Sequence, residues 1–211
     1  MQISKINVPE FKPLTHRADA SALAQTWQQT MRQGFLVLAL LHTPCVWAQA
    51  PDPTDAVVID PQVLSRAEVV GLYFTPPSDI ASAVIQVIAS AKREVLVQAY
   101  GFTHNGIAQA LVSAHQRGVE VKVLLDQKSE STNRLVVELF QSNQISMRFD
   151  GSHAIAHNKV MVLDGQVVIT GSFNFTQSAQ SRNAENLLVL RSDELANSYK
   201  QNWLTHWAHS R

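Results

Sequence analysis

His157 and Lys159 stand two residues apart at the head of the apolar run Val160-Met161-Val162-Leu163, which ends in Asp164-Gly165. Beyond it, Val167-Val168-Ile169-Thr170 leads into Gly171-Ser172-Phe173-Asn174, and Glu185-Asn186 follows a polar loop. Both apolar runs are rich in β-branched residues. Asp-Gly between such runs signals a tight hairpin, because glycine takes positive φ at little cost. A two-residue turn at Asp164-Gly165 pairs Leu163 with Gln166, Lys159 with Thr170 and His157 with Ser172. Side chains alternate along a strand, so His157, Lys159, Ser172 and Asn174 are expected on one face at one end of the hairpin. An imidazole, an ammonium, a hydroxyl and an amide converging in this way suit a phosphate group.

The ordered set is more specific than a lone His-x-Lys pair. His157, Lys159 and Asp164, then Gly171, Ser172 and Asn174, then Glu185, resemble the signature of the phospholipase D superfamily, and most of all its small bacterial endonucleases with a single motif copy. The likeness extends upstream through Val95–Phe102 and Arg117–Asp126 and covers roughly Val69 to the C-terminus. It implies phosphodiester cleavage in two displacements through a covalent phosphohistidine, with His157 as nucleophile. Glu185 is the candidate acceptor for the other ring nitrogen of His157. Lys159 and Asn174 would bind the nonbridging oxygens, and Ser172 would add a hydrogen bond. The scheme requires no metal and no cofactor. It does require a second histidine to protonate the leaving oxygen. The resemblance implies a symmetric homodimer in which the second chain's His157 supplies it, with His153 of the same chain as the alternative.

The implied substrate is nucleic acid, DNA or alternatively RNA, cut without sequence preference. A phospholipase acting on lipid head groups is the second reading, and a non-catalytic nucleic-acid-binding module of the same fold is the third. Asp164 lies seven residues from His157, about 20 Å along a strand, so a structural role is expected for it. Gly171 belongs to the motif's framework. Asp150, His153 and His157 offer few ligands for a metal centre, and Lys159 would repel a cation.

The elements that must position these groups follow from periodicity. Strands are expected over 67–74, 95–100, 119–125, 145–149 and 185–190, beside the motif hairpin. Helices are expected after a cap at Ser78 or Asp79, then over 105–116, 132–142 and 192–207. The strands at 95–100 and 119–125 are near-continuously apolar, as in strands buried on both faces. Alternation of strand and helix predicts an α/β fold, a mixed sheet flanked by helices on both faces. The resemblance implies the same α-β-α sandwich. Trp203 and Trp207, at helical spacing, read as core or dimer packing.

The 211 residues and 45% hydrophobic content fit one globular domain over 67–211 with an extension before it. Arg32, the apolar run Phe35–Leu41 and the small-residue sites at Val46-Trp47-Ala48 and Ala48-Gln49-Ala50 describe a secretory signal peptide over 31–50. The run is far short of the ~20 residues that span a bilayer. Met31 is therefore read as the start, 1–30 as an upstream extension that need not be translated, and 51–66 as a linker rich in proline and aspartate. A periplasmic or secreted protein without stable membrane association is expected. Cleavage near Ala50 removes Cys45, the only cysteine, and hence any disulfide. It also removes four basic and two acidic residues from 17 of each, leaving 13 and 15, a net charge of −2. A polyanion must then be bound by a local cleft, since no general positive field exists.

Overall fold

The computed structural model describes residues 66–211. The upstream extension, the signal peptide and all of the linker but Arg66 lie outside the described residues. The order of elements is β1 (Glu68–Thr75), α1 (Ile80–Ser90), β2 (Glu94–Ala99), α2 (Asn105–Gln116), β3 (Glu120–Asp126), a 3-10 turn (Gln127–Ser129), α3 (Arg134–Ser142), β4 (Ser146–Asp150), β5 (Lys159–Leu163), β6 (Val167–Gly171), α4 (Gln177–Ser181), β7 (Glu185–Arg191) and α5 (Asp193–His209). No helix among them is long and apolar enough to cross a membrane.

The strands form one seven-stranded mixed sheet in the order β1-β7-β6-β5-β2-β3-β4. β2, β3 and β4 run parallel, and the neighbours from β2 through β5, β6 and β7 to β1 are antiparallel. Alternate residues explain the apolar strands. Val95, Val97, Met161 and Ile169 pack with α1, α2 and α3 on one face, while Leu96, Val160, Val162 and Val168 pack with Leu195 and Trp203 of α5 on the other. Helices therefore cover both faces, and the domain is the α-β-α sandwich expected. Trp203 is buried and donates its indole N–H to the Val97 carbonyl at 2.9 Å, and Trp207 stacks on it with ring centroids 4.7 Å apart.

Side-chain caps begin the helices where the sequence offers them. Asp79 accepts from Ser82 N at 3.0 Å to start α1, and Ser192 accepts from Leu195 N at 3.2 Å to start α5. α4 has no counterpart in the expectations, which gave that stretch to a polar loop. Its five residues carry no amphipathic period; Thr176 caps it, and Ala179 buries it against the core.

The topology decides where the chemistry gathers. One edge of the sheet collects the carboxyl ends of β2, β3 and β4, the start of β5, the end of β6 and the start of β7. The Asp164-Gly165 turn and the start of β2 occupy the opposite edge.

Candidate active site

The hairpin turn forms as its residues dictate. Asp164 and Gly165 take φ of 55° and 66°, and Gln166 N donates to the Leu163 carbonyl at 3.0 Å. The ladder beyond the turn differs from the expected register by one residue: Leu163 pairs with Val167, and Val160 with Thr170. Gln166 drops out of the ladder because its carbonyl accepts from Ser192 N, at 2.9 Å, as the chain enters α5. Lys159 is thus not opposite Thr170. Nor does His157 face Ser172 across a ladder, since β5 begins only at Lys159.

Other contacts position each of them. Past Gly171 the chain leaves the strand, and Ser172 N and Phe173 N both donate to the Asn186 carbonyl, at 3.1 and 3.3 Å. A Cβ at Gly171 would overlap that same carbonyl oxygen, so the motif's glycine permits the close approach of β6 to β7. The His157 imidazole is exposed and packs on the Tyr100 ring, centroids 4.9 Å apart. Lys159 is 7% exposed. Its ammonium donates to the His157 carbonyl at 2.7 Å and lies 5.6 Å from the centre of the Tyr100 ring. Burial lowers the pKa of Lys159 below the ordinary lysine value, and the charge of Glu185 opposes the shift. Asn174 lies against Gly101, where a Cβ would come 3.4 Å from its Oδ1. That Oδ1 is buried and has no hydrogen-bond partner among the described residues.

Glu185 and Ser172 have other partners than those expected. Ser172 Oγ donates to Glu185 Oε2 at 2.6 Å, and Asn183 donates to Oε1 at 2.8 Å. Both carboxylate oxygens are therefore engaged, and no hydrogen bond joins Glu185 to His157. The Ser172 proton points at Glu185, and its oxygen accepts from Asn186 N at 3.1 Å, so the hydroxyl has no free donor for a phosphate. Thr75 Oγ1 accepts from Glu185 N at 3.1 Å and fixes the start of β7.

Asp164 sits at the far edge. Its carboxylate accepts from the backbone N–H groups of Lys92 (3.0 Å), Arg93 (2.7 Å) and Glu94 (3.0 Å), tying the turn to the start of β2. Burial alone would raise its pKa, but these N–H donors outweigh it and hold the group below the ordinary aspartate value.

Three residues with no role assigned from the sequence hold the site in place. Asp126, 1% exposed, accepts from Ala156 N at 2.8 Å and so anchors the loop just before His157. Asn133, fully buried, accepts from Phe102 N at 2.7 Å and donates to the Tyr100 carbonyl at 2.8 Å, setting the segment that carries Tyr100 and Gly101. Tyr100 is the surface on which His157 rests. Asp126 could have been found as an acid at the carboxyl end of a parallel strand, where open α/β sheets build their sites. Nothing local marks Asn133. His153 is turned to Asp150: its Nδ1 is 3.0 Å from Asp150 Oδ2, and its ring contacts His206 and His209.

Comparison with known proteins agrees with this arrangement. The family model described as "Cardiolipin synthase, PLD-like domain" matches residues 84–207, more than half of the chain. The chain belongs to the phospholipase D superfamily. It is 43% identical to a protein named phospholipase D from Rickettsia bellii over 145 residues, 69% of this chain and 72% of that one. It is 29% identical to a mitochondrial cardiolipin hydrolase from Chlamydomonas reinhardtii over 64% of this chain and 60% of the other. Among solved structures, Nuc from Salmonella typhimurium, a phospholipase D family member, superposes with a TM-score of 0.64 at 34% identity, covering 69% of this chain and 97% of that one. This phospholipase D superfamily chain is a hydrolase of phosphodiester bonds, and His157, Lys159, Asn174 and Glu185 lie on the edge of its sheet where the motif residues gather.

Proposed function

We propose that this phosphodiester hydrolase is an endonuclease that cuts nucleic acid, DNA first, through a covalent phosphohistidine on His157. One observation carries the reading: an exposed imidazole stands beside a desolvated ammonium, whose charge suits a phosphate. The likeness to Nuc, which spans nearly that whole chain, supports it. In the first displacement a ring nitrogen of His157 forms the N–P bond as the P–O bond to the leaving oxygen breaks. The Lys159 ammonium offsets charge on the nonbridging oxygens, and the Asn174 Nδ2 donates a hydrogen bond to them. The leaving oxygen takes its proton from a second imidazole. In the second displacement that imidazole takes a proton from water, the water oxygen bonds to phosphorus, and the N–P bond breaks. The reaction itself passes through no metal.

One copy of the motif supplies one nucleophile. His153 is directed at Asp150, so we assign the second imidazole to His157 of another chain, in a homodimer with one composite site. Export to the periplasm or beyond, with residues 31–50 as the signal, belongs to the same proposal.

The relatives named phospholipase D and mitochondrial cardiolipin hydrolase favour a second reading, hydrolysis of lipid head groups by the same residues. Purified protein incubated with plasmid DNA, without added metal and in the presence of EDTA, distinguishes the two. Degradation that disappears in His157→Ala supports the nuclease. Intact plasmid together with head-group release from phosphatidylcholine or cardiolipin vesicles overturns it in favour of the lipid reading. Mixing His157→Ala chains with wild type tests the shared site: mixed dimers lose nearly all activity, whereas full activity per wild-type chain rejects the dimer.

A further inference from the structure

At the end of β4, Asp150 is completely buried, yet three imidazoles from two separate segments converge on it. His206 Nδ1 lies 2.8 Å from Asp150 Oδ2, His153 Nδ1 3.0 Å, and His209 Nε2 3.4 Å. The four ligand atoms lie within 4.8 Å of one another. The other carboxylate oxygen, Oδ1, accepts from Ser152 N at 3.0 Å and lies 3.1 Å from His153 Nδ1, so Oδ2 is the oxygen that all three imidazoles share. We propose that Asp150, His153, His206 and His209 form a binding site for a divalent d-block cation of the zinc type.

Hydrogen bonding alone accounts poorly for the arrangement. Three neutral rings crowd one carboxylate that already accepts from Ser152 N, with His153 Nδ1 within 3.1 Å of Oδ1 as well, and three imidazolium rings this close would repel one another. A cation resolves both difficulties, because neutral imidazoles and a carboxylate are then ligands. Zinc bonds of ~2.0–2.1 Å in a tetrahedron place ligand atoms about 3.3 Å apart. The observed separations from Asp150 Oδ2, 2.8 to 3.4 Å, bracket that value. Three nitrogen donors select zinc, cobalt or nickel over magnesium or calcium, which prefer all-oxygen shells. The Ser152 hydrogen bond to Oδ1 is the kind of outer contact that orients a ligating carboxylate.

The frame around the cluster is already built. Phe149 N donates to the Arg211 carbonyl at 2.7 Å, and Arg211 N to the Phe149 carbonyl at 3.3 Å, so the C-terminal residue is bound to the edge of β4. Arg148 Nη1 donates to the Trp207 carbonyl at 2.6 Å, and its guanidinium lies 4.7 Å from the Trp207 ring centre. These contacts set the last turn of α5 where His206 and His209 reach Asp150. His153 lies on the loop that ends at His157, four residues on. The cation thereby fastens the nucleophile's loop to the C-terminal helix. It has no part in the displacement steps, and the metal-free chain keeps its fold through the same contacts.

The test is titration of the purified, metal-stripped full chain with Zn2+ and with Co2+, followed by calorimetry and visible absorption. One ion per chain is expected, with a dissociation constant at or below about 1 µM, and with the absorption of four-coordinate cobalt. A hundredfold excess over that constant should raise Tm by about 5 °C or more. The double variant His206→Gln/His209→Gln should weaken binding at least about 100-fold, and His157→Ala should bind as wild type does. His153→Gln, on an exposed loop, is the second variant should the double one fail to fold, and it too weakens binding. Wild-type binding no tighter than about 0.1 mM, or tight binding that survives the substitutions, overturns the site.

Discussion

The two ends of the β5–β6 hairpin contain polar side chains of the same motif and use them in opposite ways. At the turn, Asp164 has its carboxylate filled by three backbone N–H groups, and its own N–H donates to the Glu94 carbonyl at 3.0 Å. At the other end the His157 ring and the Asn174 side-chain amide make no hydrogen bond among the described residues, and Lys159 has surrendered most of its solvent for one carbonyl. Polar atoms with every valence used hold a fold together. Polar atoms kept waiting at a cost are there for a ligand. The single pattern His157, Lys159, Asp164 thus divides into two reactive residues and one clamp.

The largest effect that tests this division is at His157. His157→Ala should lower kcat on the order of 10^3-fold or more, because the covalent route is lost. Its stability should stay within about 0.5 kcal/mol of wild type, since the ring is exposed. Thermal unfolding beside an activity assay checks both, and a large loss of stability would move His157 to the clamp's side. Lys159→Met comes next. Removing the cation should cost about 10^2 to 10^3-fold in kcat with little loss of stability, as methionine fills a similar buried volume. Lysine's lowered pKa also sets the alkaline limb of activity below the ordinary lysine range, since the ammonium is lost as pH rises through the folded value. A pH–rate profile that stays flat up to the ordinary lysine range would contradict that burial.

What could be read from the chain divides along similar lines. Strands such as Val95–Tyr100 and Val119–Leu125 announced themselves because burial on both faces leaves few polar positions, Gln98 in one and Glu120 and Lys122 in the other, and Asp79 marked its helix by a cap that acts within three residues. The site's residues were readable because their types and order are unusual. Their partners were not. Gln166 leaves the ladder for Ser192, and Ser172 turns to Glu185, and both choices depend on where α5 and β7 lie. Asn133 holds Tyr100 from 33 residues away, which no local pattern records. The same holds for Asp150: its company was sought at His157, nearby in sequence, whereas His206 and His209 arrive from the end of the chain.

On the clamp side, Asp164→Asn keeps a residue that tolerates positive φ but replaces the carboxylate with a single acceptor oxygen. A loss of about 1–3 kcal/mol of stability is expected by denaturant titration, with kcat per folded molecule unchanged. Because the folded pKa is depressed, the wild-type contribution is fully present above the ordinary aspartate value of 3.8 and is lost as pH falls from there through the folded pKa. The variant should lack this acid-dependent loss. A variant as stable as wild type, or one whose kcat collapses while its fold holds, would erase the contrast between the two ends.

Ser172→Ala has the smallest expected effect and tests the least obvious assignment. The hydroxyl donates to Glu185 and accepts from Asn186 N, so it belongs with the held groups although it stands at the reactive end. Its removal frees Glu185 Oε2 to turn elsewhere and costs about one net hydrogen bond, roughly 0.5–1.5 kcal/mol. That cost is read in stability, and through the freed carboxylate kcat should separately fall by up to about tenfold, with KM little changed and the pH profile displaced, because Glu185 acts on Lys159 through its charge. A hydroxyl that instead gave its proton to the bound phosphate would raise KM and leave the pH profile in place. The split between kcat and KM in this one variant decides to which end of the hairpin Ser172 belongs.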